Sequence, residues 1–239
     1  QNNTNLALSL FGAHDTVGRA GDAQWKRPLD SAGGRFSWTQ VLSERSLIQG
    51  SWETTFFHGY QASPYRWVAI GGDNGLCASD APDCVPELTP EERYRHALGV
   101  RYRYALHPRI SAGLGYRFYF DSWSVQSHTV EPDVTYRLGA HGELSLAYRY
   151  YTQGEASFYQ PRYAEASESR YFTRDRKLSA MWSQTIAATY NQRWAFADDR
   201  YALTWALRAS GTQYRYLAYV GLSRVEALEL TALLGFEHP

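Results

Sequence analysis

The chain has 239 residues, 24 Lys and Arg against 24 Asp and Glu, zero formal net charge and a mean hydropathy of −0.49. That length admits one large all-β domain or two small ones, and the charge balance implies no general attraction to nucleic acid or anionic membrane. Although 44% of the residues are hydrophobic, no run approaches the roughly 20 apolar residues that a membrane helix needs, so a helical membrane protein is excluded.

In chain order the pattern predicts ten strands. The first lies near Asn3–Val17, with Leu6, Leu8 and Leu10 on one face, and a loop rich in Gly and Asp runs on to Gly34. Arg35–Ser43 follows and turns tightly at Glu44 and Arg45 into Ser46–Gln61, where Ile48, Trp52, Thr54 and Phe56 alternate with Gln49, Ser51, Glu53 and Thr55. A long loop to about Glu92 carries Cys77 and Cys84. Two cysteines seven apart in a Gly/Asp/Pro-rich loop of an exported chain read as a disulfide; a metal pair is the rival, but it lacks nearby histidines.

The fourth strand, Arg93–Leu106, is the most informative. Its even positions are Tyr94, His96, Leu98, Val100, Tyr102, Tyr104 and Leu106; its odd positions hold Arg93, Arg95, Arg101 and Arg103 among small residues. Successive side chains of a strand point to opposite faces, so one face is apolar and the other is cationic. After a turn at His107–Arg109, the fifth strand spans Ile110–Phe120, setting Leu114, Tyr116, Phe118 and Phe120 against Ser111, Gly113, Gly115 and Arg117. Ser124–Leu138 is the sixth, where Pro132 interrupts the ladder as edge or bulge prolines do. A turn at Ala140–Glu143 leads to Leu144–Phe158, a loop around Arg162–Asp175 to Lys177–Trp194, and a turn at Ala197–Arg200 to Tyr201–Tyr214. The last strand, Val225–Phe236, turns Leu228, Leu230, Ala232, Leu234 and Phe236 outward.

Two independent features select a membrane barrel over a soluble sandwich or a lipocalin-like barrel. Large apolar side chains occupy one face almost without interruption while paired charges occupy the other, which is lipid outside and polar lumen inside. Tight turns follow the second, fourth, sixth and eighth strands, and longer loops follow the first, third and seventh. That alternation is the periplasmic-turn, extracellular-loop asymmetry of outer-membrane barrels, and it puts the cysteine loop outside the cell. The fold expected is therefore one antiparallel transmembrane β-barrel domain over residues 1–239. The 19 tyrosines against a single methionine suit interfacial girdles. Nothing at the N-terminus reads as a signal peptide, so an exported chain begins here at a mature or trimmed end.

Several segments resemble an uncharacterised bacterial outer-membrane family, DUF3570. They are Arg93-Tyr-Arg-His-Ala-Leu98, Tyr116-Arg-Phe-Tyr-Phe-Asp-Ser-Trp123 with Ser127-His-Thr-Val-Glu131, Tyr148-Arg-Tyr-Tyr-Thr-Gln153 and Asp175-Arg-Lys-Leu-Ser-Ala180. Ser37-Trp-Thr-Gln-Val-Leu-Ser43 and Gly59-Tyr-Gln-Ala-Ser-Pro-Tyr-Arg66 look like two more of its blocks, so the similarity runs from about Ser37 to Leu178. The resemblance implies a Gram-negative outer-membrane barrel and no particular activity. It also implies that this chain corresponds to the C-terminal part of a larger barrel. The ending Gly235-Phe-Glu-His-Pro239 departs from the terminal aromatic usual in such proteins and suggests trimming or an atypical assembly signal.

The inward positions carry the candidate function: Arg93, Arg95, Arg101, Arg103, Arg117, Arg149 and Arg208 facing Glu53, Asp121, Glu131, Asp133, Glu155 and Glu229. Such a set either neutralises itself in a narrow, side-chain-filled lumen or forms a cationic ladder that attracts anions. A porin-like channel for small solutes is one expectation; a non-conducting scaffold around a periplasmic lipoprotein or redox partner in an outer-membrane complex is the other. Enzymatic activity is not expected. There is no Gly-x-Ser-x-Gly elbow, and His128 has the opposite parity from Glu131 and Asp133, which takes it out of reach of both acids. His58 and His96 also fall on the outward face, as interfacial residues. No Cys-x-x-Cys-His and no histidine pair at ligand spacing is present, so no metal or other cofactor is expected. The expected surroundings are outer-membrane lipid, with no nucleic acid, since parity segregates the basic and aromatic residues onto opposite faces.

Overall fold

The computed structural model describes residues 3–71, 77, 81, 83–164, 169–196 and 201–237. Ten strands form one antiparallel sheet: β1 (Thr4–Arg19), β2 (Asp22–Ser43), β3 (Ser46–Gly59), β6 (Glu92–His107), β7 (Ile110–Asp121), β8 (Gln126–Leu138), β9 (Gly142–Gln153), β10 (Met181–Phe196), β11 (Tyr201–Tyr216) and β12 (Arg224–Glu237). Each pairs with its sequence neighbour in that order. The short strands β4 (Trp67–Ala69) and β5 (Cys84–Pro86) form a separate hairpin in the β3–β6 loop. The shortest strands of the sheet have 12 residues, about 40 Å at the usual rise, enough to cross a bilayer when tilted.

The register carries the two-face pattern through the sheet. Glu53, Arg95, Arg117, Thr129 and Arg149 fall on one face, linked by the pairs Thr55↔Arg95, Gly99↔Arg117 and Arg117↔Thr129. The opposite face is a band of Leu98, Val100, Leu114, Val134, Leu146, Ile186 and Leu230, all more than a third exposed. Aromatic pairs border it: Phe56 with Tyr94 and Tyr150 with Trp182 toward one end, Trp194 with Trp205 and Phe196 with Phe236 toward the other. An exposed apolar band of this extent is stable only against lipid or another apolar surface.

Three expectations need correction. The segment after the first strand is no loop: β1 and β2 pair from Thr4↔Gln40 to Arg19↔Asp22 around a turn at Ala20 and Gly21, with one bulge at Gly18/Arg19. Continuous cross-strand pairing outweighs the loop signal of glycine and aspartate. Because β3 pairs with β2 only from Leu29↔Gly59, the hairpin tip projects beyond the sheet. Second, the seventh predicted strand ends at Gln153, and the five residues to Phe158 turn away; Glu155 therefore leaves the inner face. Third, the eighth begins at Met181, since Arg176–Leu178 form a 3₁₀ turn capped by Asp175. The predicted turn at Ala197–Arg200 lies outside the described residues. Pro132 keeps its place in the β7–β8 ladder, but the β8–β9 pairing skips from Val130↔Tyr150 to Asp133↔Ala147. A proline without an N–H opens a ladder in this way.

Among the described residues no pairing joins β1 to β12, so both are edge strands of an open sheet.

The buried core lies at one end of the sheet. The β3–β6 loop and the β9–β10 loop meet above β6–β9: Ile70 bridges Tyr163, Leu88 bridges Phe172, and Val68, Tyr163 and Phe172 pack with Ile70 and Val85. A second cluster unites Trp123, Val125, Ala156, Tyr159 and Leu178, against which Ala218 and Tyr219 of the β11–β12 loop pack. On the other side the β1–β2 tip joins this cap, with Arg19 donating to Pro64 O at 3.0 Å and Trp25 edge-on to Tyr60. Cys77 and Cys84 are disulfide-bonded, Cα atoms 5.7 Å apart, which ties the strand β5 to the preceding chain.

Candidate functional site

The inner face carries a belt of ion pairs running from β2 to β9. Glu53 on β3 accepts from Arg35 at 3.3 Å and from Arg117 at 3.2 Å. Glu131 on β8 lies between Arg101 at 3.0 Å and Arg149 at 3.1 Å, and Asp133 takes Arg103 at 2.5 Å with Arg101 at 3.6 Å. Arg101 and Arg103 belong to β6, so each crosses β7 to reach β8. Gly113 and Gly115 of β7 make that crossing possible: a Cβ on Gly113 would lie 2.5 Å from Asp133 Oδ1, and one on Gly115 3.3 Å from Arg101 Nη2. Gly115 is thus the bed in which Arg101 lies, and Gly113 the bed of the carboxylate that Arg103 meets. A shallow cavity of about 380 Å³ over this belt is lined from Arg35 on β2 to Arg149 on β9.

Arg93 differs from the others. Its Nε and Nη2 donate to Asp121 Oδ2 at 2.9 and 2.5 Å, its Cζ stands 4.0 Å from the centroid of Trp123, and both partners are buried. Asp121 also accepts Tyr119 OH at 2.6 Å and, through Oδ1, the backbone N–H groups of Trp123 and Val125 at 3.0 Å each. This carboxylate organises the β7–β8 turn. Arg95 stands directly opposite Asp121 in the register yet makes no ion pair among the described residues.

Of the other residues singled out in the sequence, Arg208 faces inward between Thr189 and Thr231, and Glu229 opposite Ser210. His128 faces outward with Nδ1 2.7 Å from Tyr116 OH, away from Glu131 and Asp133. His96 meets Thr54 at 3.1 Å on the same outward face, and His58 sits at the rim 3.8 Å from Glu92. Sequence reasoning missed Arg35, although its parity with Ser37 and its place opposite Glu53 could have been read from the strand pattern. It also missed the polar core of the cap. There the buried Glu87 receives Arg66 Nη1 at 2.8 Å, Ser63 N–H at 2.7 Å and Thr173 Oγ1 at 2.5 Å, and Arg66 reaches Asp175 at 3.3 Å. Burial opposes the Arg66 charge, but hydrogen bonding and attraction from Glu87 outweigh it and hold the guanidinium above its usual pKa. No sequence signal connects these residues, because the two loops are joined only by folding.

Between cap and belt lies a second cavity, of about 480 Å³, reached by Arg93, Arg95 and Arg117 from the strands and by Arg66, Asp175 and Lys177 from the loops. Among the described residues no cluster of three His, Cys, Asp or Glu is arranged to hold a metal ion.

Residues 2–208 match the family model described as a protein of unknown function, DUF3570. No curated protein matches. Among solved structures, the chain is similar in fold to OmpT (in-vitro folded), an outer-membrane protein of Vibrio cholerae, at 7% identity and a TM-score of 0.50, over 98% of this chain and 63% of that one. OmpT expressed in the outer membrane of the same organism gives 9% identity and 0.48, over 89% and 63%. The siderophore receptor PiuA of Acinetobacter baumannii gives 10% identity and 0.35, over 98% and 42%. The chain thus spans less than two thirds of each of these structures, and the likeness establishes the outer-membrane β-barrel fold alone.

Proposed function

From membership of the DUF3570 family, to which this chain belongs, we propose that it forms part of a bacterial outer-membrane barrel acting as a porin-like conduit for small solutes. The observation that carries this reading is the composition of the inner belt. From β2 to β9 its ion pairs contain five arginines (35, 101, 103, 117, 149) and three carboxylates (53, 131, 133), an excess of two positive charges. Every guanidinium in it keeps solvent contact. A cationic lining that remains wet favours anions in a pore.

The open edges belong to the same reading. β1 and β12 each present a row of backbone N–H and C=O groups that hydrocarbon cannot satisfy, so further strands close the sheet in the membrane. The result is a barrel of more than ten strands with an open lumen, where ten strands alone approach the size that side chains fill. Outer-membrane lipid covers the apolar band. In this reading the chain performs no catalysis and requires no cofactor.

The loop cap favours a second reading, a non-conducting scaffold that encloses or docks a periplasmic lipoprotein, a redox partner or other subunits of an outer-membrane complex. Its two long loops meet above four strands and narrow the outer end. Planar-bilayer conductance of the protein purified in mild detergent, with mass spectrometry of whatever accompanies it, separates the two. Anion-selective steps support the conduit; silence with a stoichiometric companion supports the scaffold.

A further inference from the structure

We propose that the chamber between cap and belt is a binding site for a small oxyanion, held by Arg95 and Lys177. This deepens the conduit reading by naming where a solute stops and what chemistry it has.

The argument starts from how charge is distributed around the chamber. Arg93 is neutralised by Asp121, Arg117 by Glu53, and Arg66 by Glu87 and Asp175. Arg95 and Lys177 line the same chamber and have no carboxylate partner among the described residues. The acid nearest Arg95 in the register is Asp121, but its two oxygens already accept from Arg93, Tyr119 and two backbone amides. Arg95 is left with the face of Phe57, 4.8 Å from its Cζ, and with an Nε–H that is shut off from bulk solvent and has no acceptor.

A buried donor without an acceptor is destabilising, and more so when it carries charge. That Nε–H is closed to the chamber as well, but the rest of the half-buried Arg95 lines this space of about 480 Å³, where water can solvate it and cannot neutralise it. An oxyanion does both. The planar fork of a guanidinium matches the two oxygens of a carboxylate or phosphate, and an ammonium adds a compact second charge. Chloride, being spherical, gains nothing from the fork. Access is from the loop side, since Lys177 sits in the β9–β10 loop and is exposed.

Isothermal titration of the assembled outer-membrane protein, purified in detergent, with inorganic phosphate, and separately with chloride, tests the site. Phosphate should saturate at one per chain and chloride should not. Arg95→Gln and Lys177→Gln should each weaken phosphate binding at least tenfold, whereas Arg109→Gln, exposed at the β6–β7 turn away from the chamber, should leave it unchanged. Folding of each variant is checked by heat-modifiable gel migration. Lys177 is exposed and its hydrogen bonds to Gln153 and Asp175 run through its backbone, so its variant keeps the test open if Arg95→Gln misassembles. Failure of phosphate to saturate, native affinity in Lys177→Gln, or equal loss in Arg109→Gln overturns the proposal. Saturable binding in a protein that does not conduct removes the conduit and keeps the site; conduction without saturable binding does the reverse.

Discussion

Arg103 on β6 reaches Asp133 on β8 at 2.5 Å across Gly113 on β7, the residue paired with both, because the Asp133 carboxylate lies over that bare backbone. The pair is therefore a three-strand feature, and its geometry depends on a residue that contributes no side chain. The same arrangement recurs one pair further on, where Arg101 passes over Gly115 to Glu131.

Gly113→Val should disturb that crossing. Its Cβ would meet Asp133 Oδ1 at 2.5 Å, and overpacking of this kind costs about 1–3 kcal/mol. Gly115→Ala should be milder, because the nearest atom is the mobile end of Arg101 at 3.3 Å. Urea unfolding from lipid vesicles measures both, and equal stability of Gly113→Val and the native chain would show that the pair reroutes at no cost.

Replacing Arg101 and Arg103 together by glutamate inverts the belt from net positive to net negative. In a conducting preparation the reversal potential in a salt gradient should lose its anion preference. Unchanged selectivity would mean that these arginines do not line the conducting path.

Leu230 projects from the apolar band and is 73% exposed. Arginine there should cost roughly 2–4 kcal/mol near the bilayer midplane and block assembly. Thr231→Arg, one residue on and facing inward beside Arg208, should assemble. Normal insertion of Leu230→Arg would show that β12 meets something other than lipid at this height.

Burial raises the phenols of Tyr159, to about 12, and Tyr163. A raised folded-state value means that the cap keeps its full stability below pH 10 and loses it as pH climbs from about 10 through 12, because unfolded tyrosine ionises first. Protease cleavage of the β9–β10 loop should accelerate over that interval. Tyr159→Phe should flatten the pH response while losing the hydrogen bond to Ala218 O at 3.3 Å, worth about 0.5–1.5 kcal/mol.

Amide hydrogen exchange reads the state of the two edges. If further strands close the barrel as proposed, β1 and β12 should exchange as slowly as β7 in the assembled membrane protein. Fast exchange confined to β1 and β12 in lipid would mean that the edges stay open.

Much of the fold was legible in the sequence because a strand's two faces follow from a period of two, a local property. Arg93 to Leu106 announces its own cationic and apolar sides without reference to any neighbour, and so do Leu228 to Phe236. The turn at Glu44 and Arg45, the disulfide loop and the inward parity of Arg117, Arg149 and Glu131 are equally local. Where composition stood in for pairing, the reading failed: residues 18–34 carry loop-like glycines and aspartates, yet they form hairpin because β1 lies alongside in register.

By itself, then, the sequence determined which side chains share a face, where this chain's ten strands run and that its two long loops lie at one end, since each depends on a few adjacent residues. Only the tertiary structure decided which arginine meets which acid, that Asp121 serves Arg93 and leaves Arg95 unpaired, and that two loops close over the inner face around Glu87 and Thr173, 86 residues apart. Those outcomes depend on strand register and loop docking, which are set by contacts between residues remote in the chain. No periodicity within a strand encodes them.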